Sequence, residues 1–483
     1  MVRTFCRITA SITPPTCSRT TVRAIAVLCA AVTIASCSGS SENTSASTTT
    51  TTTATSATST DESTGQSTST GEGTTTSPSS GKATSTSTTA PTSTPIAVKR
   101  PAGWPSTFEI GASGIADDAK ALRARAPFAF NYQYLAGGAN TDQGWATWKP
   151  NGTFASMFAD ESTANSMMPV FTYYMARQSL PGRDIDEVDA VEKNLRNADT
   201  MKAYLLDLEL LFKRVASDEP VVVHMEPDLW GFMQQKAKGN DPTKIEVQVG
   251  STGIAELAGL PDNAAGFAQA IVKLRDAYAP NVMLAYHVSI WATGTDIARS
   301  NSSDGDIAEI GADIATFYQA TGANFDLAFI DIADRDAAFK EVHYGDKGAW
   351  MDDADYERIV KLVRVFTSET ALPVVIWQIP FGNKVMRSLD GSWNHYQDNK
   401  VEWFLGDKRA EHLQALVDAG VVALLFGRGA DGTTCACDAN HDGITNPDPI
   451  DGNNRESLSA DDDGGYFMAQ VTEYYAKGQL ALP

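Results

Sequence analysis

The stretch Pro220–Phe232, PVVVHMEPDLWGF, is an apolar run that ends in His224, Glu226, Asp228 and Trp230. Carboxylates and an imidazole at this spacing are groups that move protons or hold cations. More of them follow at His287, Asp331, Asp334, Asp336 and Asp398. A carboxyl that keeps its proton near neutral pH serves as a general acid, while an ionised partner serves as base or nucleophile. Burial or a neighbouring carboxylate raises the pKa in this way. Glu226 follows Val222, Val223 and Met225, surroundings that would hold its proton, which makes it the leading candidate for the acid. Asp331 is the leading candidate for the second carboxylate, with Asp228, Asp334 and Asp398 as rivals.

Such groups need a frame that brings them together from distant parts of the chain. Apolar runs recur at Phe108–Ser113, Phe128–Leu135, Met168–Met175, Pro220–Met225, Val282–Trp291, Phe325–Ile332, Pro373–Ile379 and Val421–Gly427. Helical stripes separate them, such as Ile307, Ile310, Ile314 and Phe317, or Tyr356, Ile359, Val363 and Phe366. Strands alternating with helices imply a parallel sheet covered on both faces. Eight such units predict an α/β fold, a (β/α)8 TIM barrel with long βα loops. An open doubly wound sheet is the alternative, but Gly111-Ala112-Ser113-Gly114 is a poor phosphate loop.

In a barrel the chemistry sits at the C-terminal strand ends. Those ends carry Tyr132 and Tyr134, then Tyr173 and Tyr174, then the Glu226 stretch. After these come His287 and Trp291, Asp331 and Asp334, Trp377 and Gln378, and finally Arg428. Period-two alternation puts Val222, His224 and Glu226 on one face of strand four, so Glu226 is expected at the rim with His224 a layer below. Pro227 ends the strand, because it cannot donate a ladder hydrogen bond. Trp230 is then expected above the rim.

An acid-rimmed barrel with many aromatics resembles the glycoside hydrolases. Sugar rings stack their C–H faces on Trp and Tyr, and Trp230, Trp291, Trp377, Trp393 and Trp403 fall in or near rim loops. Glu226-Pro227 is similar to the Asn-Glu-Pro that ends strand four of clan A glycosidases. The resemblance implies Glu226 as proton donor, while Asp331 is the choice for second carboxylate from its place on the Phe325–Ile332 strand. It further implies a sugar site from Tyr132, Tyr173, Asp228, Trp230, His287, Trp291, Asp334, Trp377, Gln378, Trp393, Asp398 and Arg428. The pattern departs from that clan twice. Met225 replaces the Asn, and strand seven carries Gln378 where the clan has its nucleophilic Glu. Acids on strands four and six are the arrangement of the alpha-galactosidase type of barrel. Two other classes compete: a metal-dependent barrel hydrolase or isomerase using His224, Glu226, His287 and Asp331, and a carbohydrate-binding protein without activity. The amidohydrolase type is disfavoured, since strand one reads Phe108-Glu109-Ile110 rather than His-x-His.

The N-terminal region is built differently. Residues 1–36 carry four arginines and no acid before an apolar run, Ala24–Ala35, too short to span a bilayer. This is a signal-peptide pattern. Ile34-Ala35-Ser36-Cys37 resembles the lipobox of bacterial lipoproteins, which implies lipid on Cys37 and a protein anchored in the cell envelope, at the outer membrane or cell surface. Residues 37–99 are rich in Ser and Thr and predict a disordered tether, leaving 100–483 for the barrel. The net charge of -21 argues against nucleic acid as partner. A neutral poly- or oligosaccharide suits it, and a monomer is expected. Asp438, Asn440, Asp442, Ile444 and Asn446 follow the spacing of an EF-hand or dockerin calcium loop, although Pro449 stands where the last acid belongs. Calcium there would be structural, and no cofactor is expected for catalysis. Cys435 and Cys437 precede that segment; one Cys-x-Cys pair is weak evidence for a disulfide or a metal.

Overall fold

A computed structural model describes residues 94–114, 119–332, 335–384, 396–427, 463 and 465–483. Eight strands form a closed barrel in chain order. They are β1 Glu109–Ser113, β2 Phe130–Leu135, β3 Met168–Tyr173, β4 Val221–Met225, β5 Val282–Val288, β6 Leu327–Asp331, β7 Val374–Pro380 and β8 Val421–Gly427. Each of the predicted apolar runs supplies one of them. Neighbours pair in parallel, and β1 closes on β8 through Glu109 to Ala423 and Ala112 to Phe426.

The helices of the described residues are α1 Ala119–Arg125, α2 Thr153–Ala164, α3 Glu187–Leu195, α4 Ala198–Val215, α5 Leu229–Lys236 and α6 Ala264–Tyr278. The chain continues with α7 Asp304–Ala320, α8 Ala337–Tyr344, α9 Asp353–Thr370, α10 Lys400–Leu405, α11 Arg409–Asp418 and α12 Tyr466–Lys477. Their starts follow local chemistry. Ser303 with Asp306 and Asp352 with Asp355 make reciprocal capping boxes at α7 and α9, satisfying amides that the first helical turn leaves without partners. None of these helices is long and apolar enough to cross a membrane.

The strands are buried on both faces, and β5 shows why. Tyr286 points outward and packs on Trp230, Tyr318 and Phe325. The next residue, His287, points inward and stacks on His224. Two cores result, one inside the barrel and one between barrel and helices, as a parallel sheet demands. The segment just before residue 100 packs on the barrel. Ile96 N–H donates to Asp418 O and Lys99 N–H to Ala371 O, so this segment lies at the N-terminal ends of β7 and β8.

Candidate active site

The C-terminal mouth of the barrel gathers side chains from β2 to β7. Asp331, the last residue of β6, keeps the strand's alternation and faces inward. On β5, His287 Nε2 lies 3.7 Å from Asp331 Oδ2. Asp228 comes from the turn after β4. One oxygen of Asp228, one nitrogen of His287 and one oxygen of Asp331 all lie within 4.8 Å of one another. Asp228 is the first flanking residue of α5 but does not cap it with its side chain. Arg335, nearly buried, lies 3.9 Å from Asp331 Oδ1 and reaches Asp296 at 3.0 Å.

Below the acids a line of rings fills the barrel. His224 Nε2 and His287 Nδ1 are 3.0 Å apart, and His224 Nδ1 is 3.2 Å from Thr172 Oγ1. Burial lowers the pKa of both imidazoles, that of His287 to about 3, so both are neutral at pH 7. The His287–Asp331 approach is therefore not a charged pair. Trp377 sits among Tyr132, Tyr134, His224 and His287. Tyr132 O–H donates to Gln378 Oε1 at 2.9 Å. That contact requires a glycine opposite: a Cβ on Gly427 would fall 1.7 Å from the Tyr132 hydroxyl.

Three non-glycine residues at this mouth have positive φ: Glu226 at 50°, Asp228 at 66° and Gln378 at 56°. Such backbone is costly for residues with a side chain, and it concentrates where function demands it.

The positive φ at Glu226 explains the main departure from expectation. Alternation would put its carboxylate beside Asp331 at the rim. The turn instead sends it toward the seam between the β3 end and α4, where it is fully buried. It accepts hydrogen bonds from Met175 N–H at 3.0 Å and Ala176 N–H at 3.1 Å. The Tyr204 hydroxyl faces it closely enough to lower its pKa, without full hydrogen-bond geometry. Burial outweighs these donors and pushes the Glu226 pKa up to about 7. Nearby Asp207 is likewise raised by burial, to about 6, despite bonds from Tyr173 O–H at 2.7 Å and Trp145 Nε1–H at 2.6 Å.

Other predicted site residues also lie away from the mouth. Tyr173 points outward to α4 through its bond to Asp207. Trp230 is buried in the helix layer against Phe267, Tyr286 and Phe325, because α5 turns its apolar face inward and its N–H is taken by Met225 O at 3.0 Å. Trp377 is a buried floor rather than an open platform. Asp398 is a buried structural acid: it accepts from Ala337 N–H at 2.7 Å and lies 3.4 Å from Lys400 Nζ. Trp403 stacks on Tyr356 and His412 in the outer shell. Trp291 is half-buried against Phe232. Tyr134 and Tyr174, both partly buried, lie at the mouth with ring centroids 6.4 Å apart. Asp334, Trp393, Arg428, Cys37 and the segment with Asp438, Asn440, Asp442, Ile444 and Asn446 lie outside the described residues.

Sequence reading missed Thr172, Tyr204, Asp207 and Asp296. Asp207 did carry a signal: it interrupts the apolar stripe of α4 between Tyr204 and Leu208, where an acid needs partners.

The fold and mouth define a (β/α)8 barrel with a histidine-backed pair of aspartates. Solved structures of similar shape include a modular endo-beta-1,4-mannanase of glycoside hydrolase family 26 from Cellulomonas fimi, 13% identical over 78% of this chain and 72% of that one, with a TM-score of 0.42. Another is XEG5B, a GH5 xyloglucan-specific beta-1,4-glucanase from a ruminal metagenomic library, 10% identical over 77% and 89%, TM-score 0.40. A third is the AHE enzyme from Alicyclobacillus herbarius, 11% identical over 80% and 100%, TM-score 0.44. No protein-family model and no curated protein matches the chain.

Proposed function

We propose that this protein is a glycoside hydrolase acting on a poly- or oligosaccharide, with Asp228 and Asp331 as the carboxylates that face the scissile bond. The observation that carries the reading is their convergence at the C-terminal mouth, within 4.8 Å of one another. One protonates the leaving oxygen, and the other attacks the sugar or activates water. The step requires one of the two to carry a proton and the other to be ionised. Arg335 and His287 approach Asp331 at opposite oxygens, 3.9 and 3.7 Å away. Tyr134 and Tyr174 offer ring faces for sugar C–H stacking. Glu226 keeps its proton near neutrality but is a positioning residue: it ties the β3 loop to β4 beside the turn that aims Asp228. In this reading the chain is exported and lipid-anchored at Cys37, for which the lipobox residues are the support, and the 438–446 segment binds structural calcium.

Comparing Asp228→Asn, Asp331→Asn and Glu226→Gln on a panel of plant and bacterial glycans tests the assignment. Loss of turnover in both aspartate variants, with Glu226→Gln active, supports it. Full activity of Asp331→Asn would end it, and an inert Glu226→Gln beside an active Asp228→Asn would return the proton donor to Glu226.

A further inference from the structure

We propose that Asp228, His287 and Asp331 also form a binding site for a divalent cation of the zinc class. Two carboxylate oxygens and one imidazole nitrogen suit a borderline ion such as zinc better than a hard ion such as calcium. The acids alone would not carry this. The independent observation is His287: it is fully buried, and its Nε2 has no hydrogen-bond partner among the described residues. That nitrogen is directed into the acid pair, 3.7 Å from Asp331 Oδ2. Metal–ligand bonds of about 2.0–2.1 Å set tetrahedral donor atoms about 3.3 Å apart, so a few tenths of an ångström of closure there would complete that edge of the site.

The surroundings hold the donors in the right state. His287 Nδ1 is engaged by His224 Nε2, and His224 Nδ1 by Thr172 Oγ1. With protons on both Nδ1 atoms, the chain runs His287 to His224 to Thr172 and leaves the His287 Nε2 lone pair toward the acids. A ligating histidine is usually oriented through its other nitrogen in this way. Arg335 approaches Asp331 on Oδ1, the oxygen away from His287, and shares its charge with Asp296. It therefore steers Oδ2 inward. Its positive charge opposes a cation, but two carboxylates outweigh it.

The inference goes beyond the hydrolase reading, and binding is measured without any glycan. Full-length protein stripped with a chelator is titrated with zinc chloride alone, then examined by zinc X-ray absorption. The expected result is a site with one imidazole nitrogen and two carboxylate oxygens, weakened at least tenfold in Asp228→Asn. Asp228 is half-buried, so this variant should keep its fold, which circular dichroism checks. Thr172→Val, which cuts the far end of the relay, should weaken zinc by about tenfold. Zinc held only by oxygens, or binding unchanged in folded Asp228→Asn, would place the metal elsewhere, for instance on the 438–446 segment, and overturn the proposal. No binding at millimolar zinc would do the same. A glycan hydrolase that binds no zinc sinks this inference alone, while a zinc-binding protein inert on glycans sinks the hydrolase reading alone.

Discussion

The ends of β4 and β6 carry acids that look equivalent in sequence, yet they sit in different worlds. On β6 the extended backbone runs through Phe329 and on to Asp331, so both face the barrel axis. On β4 it stops at Met225, and Glu226 turns to φ 50°. One changed dihedral moves a carboxylate from the mouth to the seam behind it, and Asp228 arrives in its place. Side-chain direction follows from alternation only while the backbone stays in the β region.

Substitutions on the two strand ends test this contrast. The largest effect is expected at β6: Asp331→Asn should lower turnover on the natural glycan by roughly 10²–10⁴-fold, the range general acid–base groups contribute. Initial rates on intact folded protein check it, with Asp228→Asn as the β4 counterpart. Next, Trp230→Ala should cost about 3–5 kcal/mol of stability, as for a buried aromatic, whereas Trp291→Ala should cost clearly less. Denaturant melts of the two decide whether Trp230 belongs to the core.

Glu226→Gln should act on stability with an opposite pH signature. The folded carboxyl titrates near 7 and an unfolded one near 4.5, so the folded state binds the extra proton between these values. Wild-type stability from this group is full below about pH 4.5 and is lost as pH rises through 7. The amide carries no such penalty and still accepts the Met175 and Ala176 amides. The variant should therefore be more stable than wild type at pH 8, by on the order of 3 kcal/mol for a shift of this size, and the gap should shrink to under about 1 kcal/mol at pH 5. Equal gaps at both pH values would show that Glu226 does not hold its proton. A smaller effect is expected from trimming. A chain starting at Pro101 loses the Ile96 and Lys99 hydrogen bonds, each worth about 1 kcal/mol, while one starting at Thr94 should melt like the full chain. Last, Cys37→Ser should leave the melting temperature unchanged and shift the protein from membrane to soluble fractions; unchanged partition would refute the anchor.

The barrel was legible because each strand is a short apolar run bounded by breakers, and each major helix has a clean stripe. Asp331 and His287 were legible for the same reason, since they lie inside regular strands. What lies past a strand end was not. Glu226, Asp228 and Gln378 depart from β geometry, so their directions depend on loops rather than on periodicity. Aromatics misled in the other direction. Trp230 and Trp377 carry no mark that separates a sugar platform from packing between layers, and the burial that decides it comes from helices distant in sequence.

The two ends of the barrel unit meet on one side of it. Thr94–Lys99 docks at the floor, beside the starts of β7 and β8. There the far end joins it: Leu482 N–H donates to Ser106 O at 2.9 Å, and Arg100 reaches Pro483 O at 3.2 Å. Thr94–Lys99 and the last residues of the chain thus lie together on the side opposite Asp228 and Asp331. Because Arg100 and Pro483 are neighbours, the barrel unit could be joined between these two residues and reopened in a surface loop with its strand pairing intact.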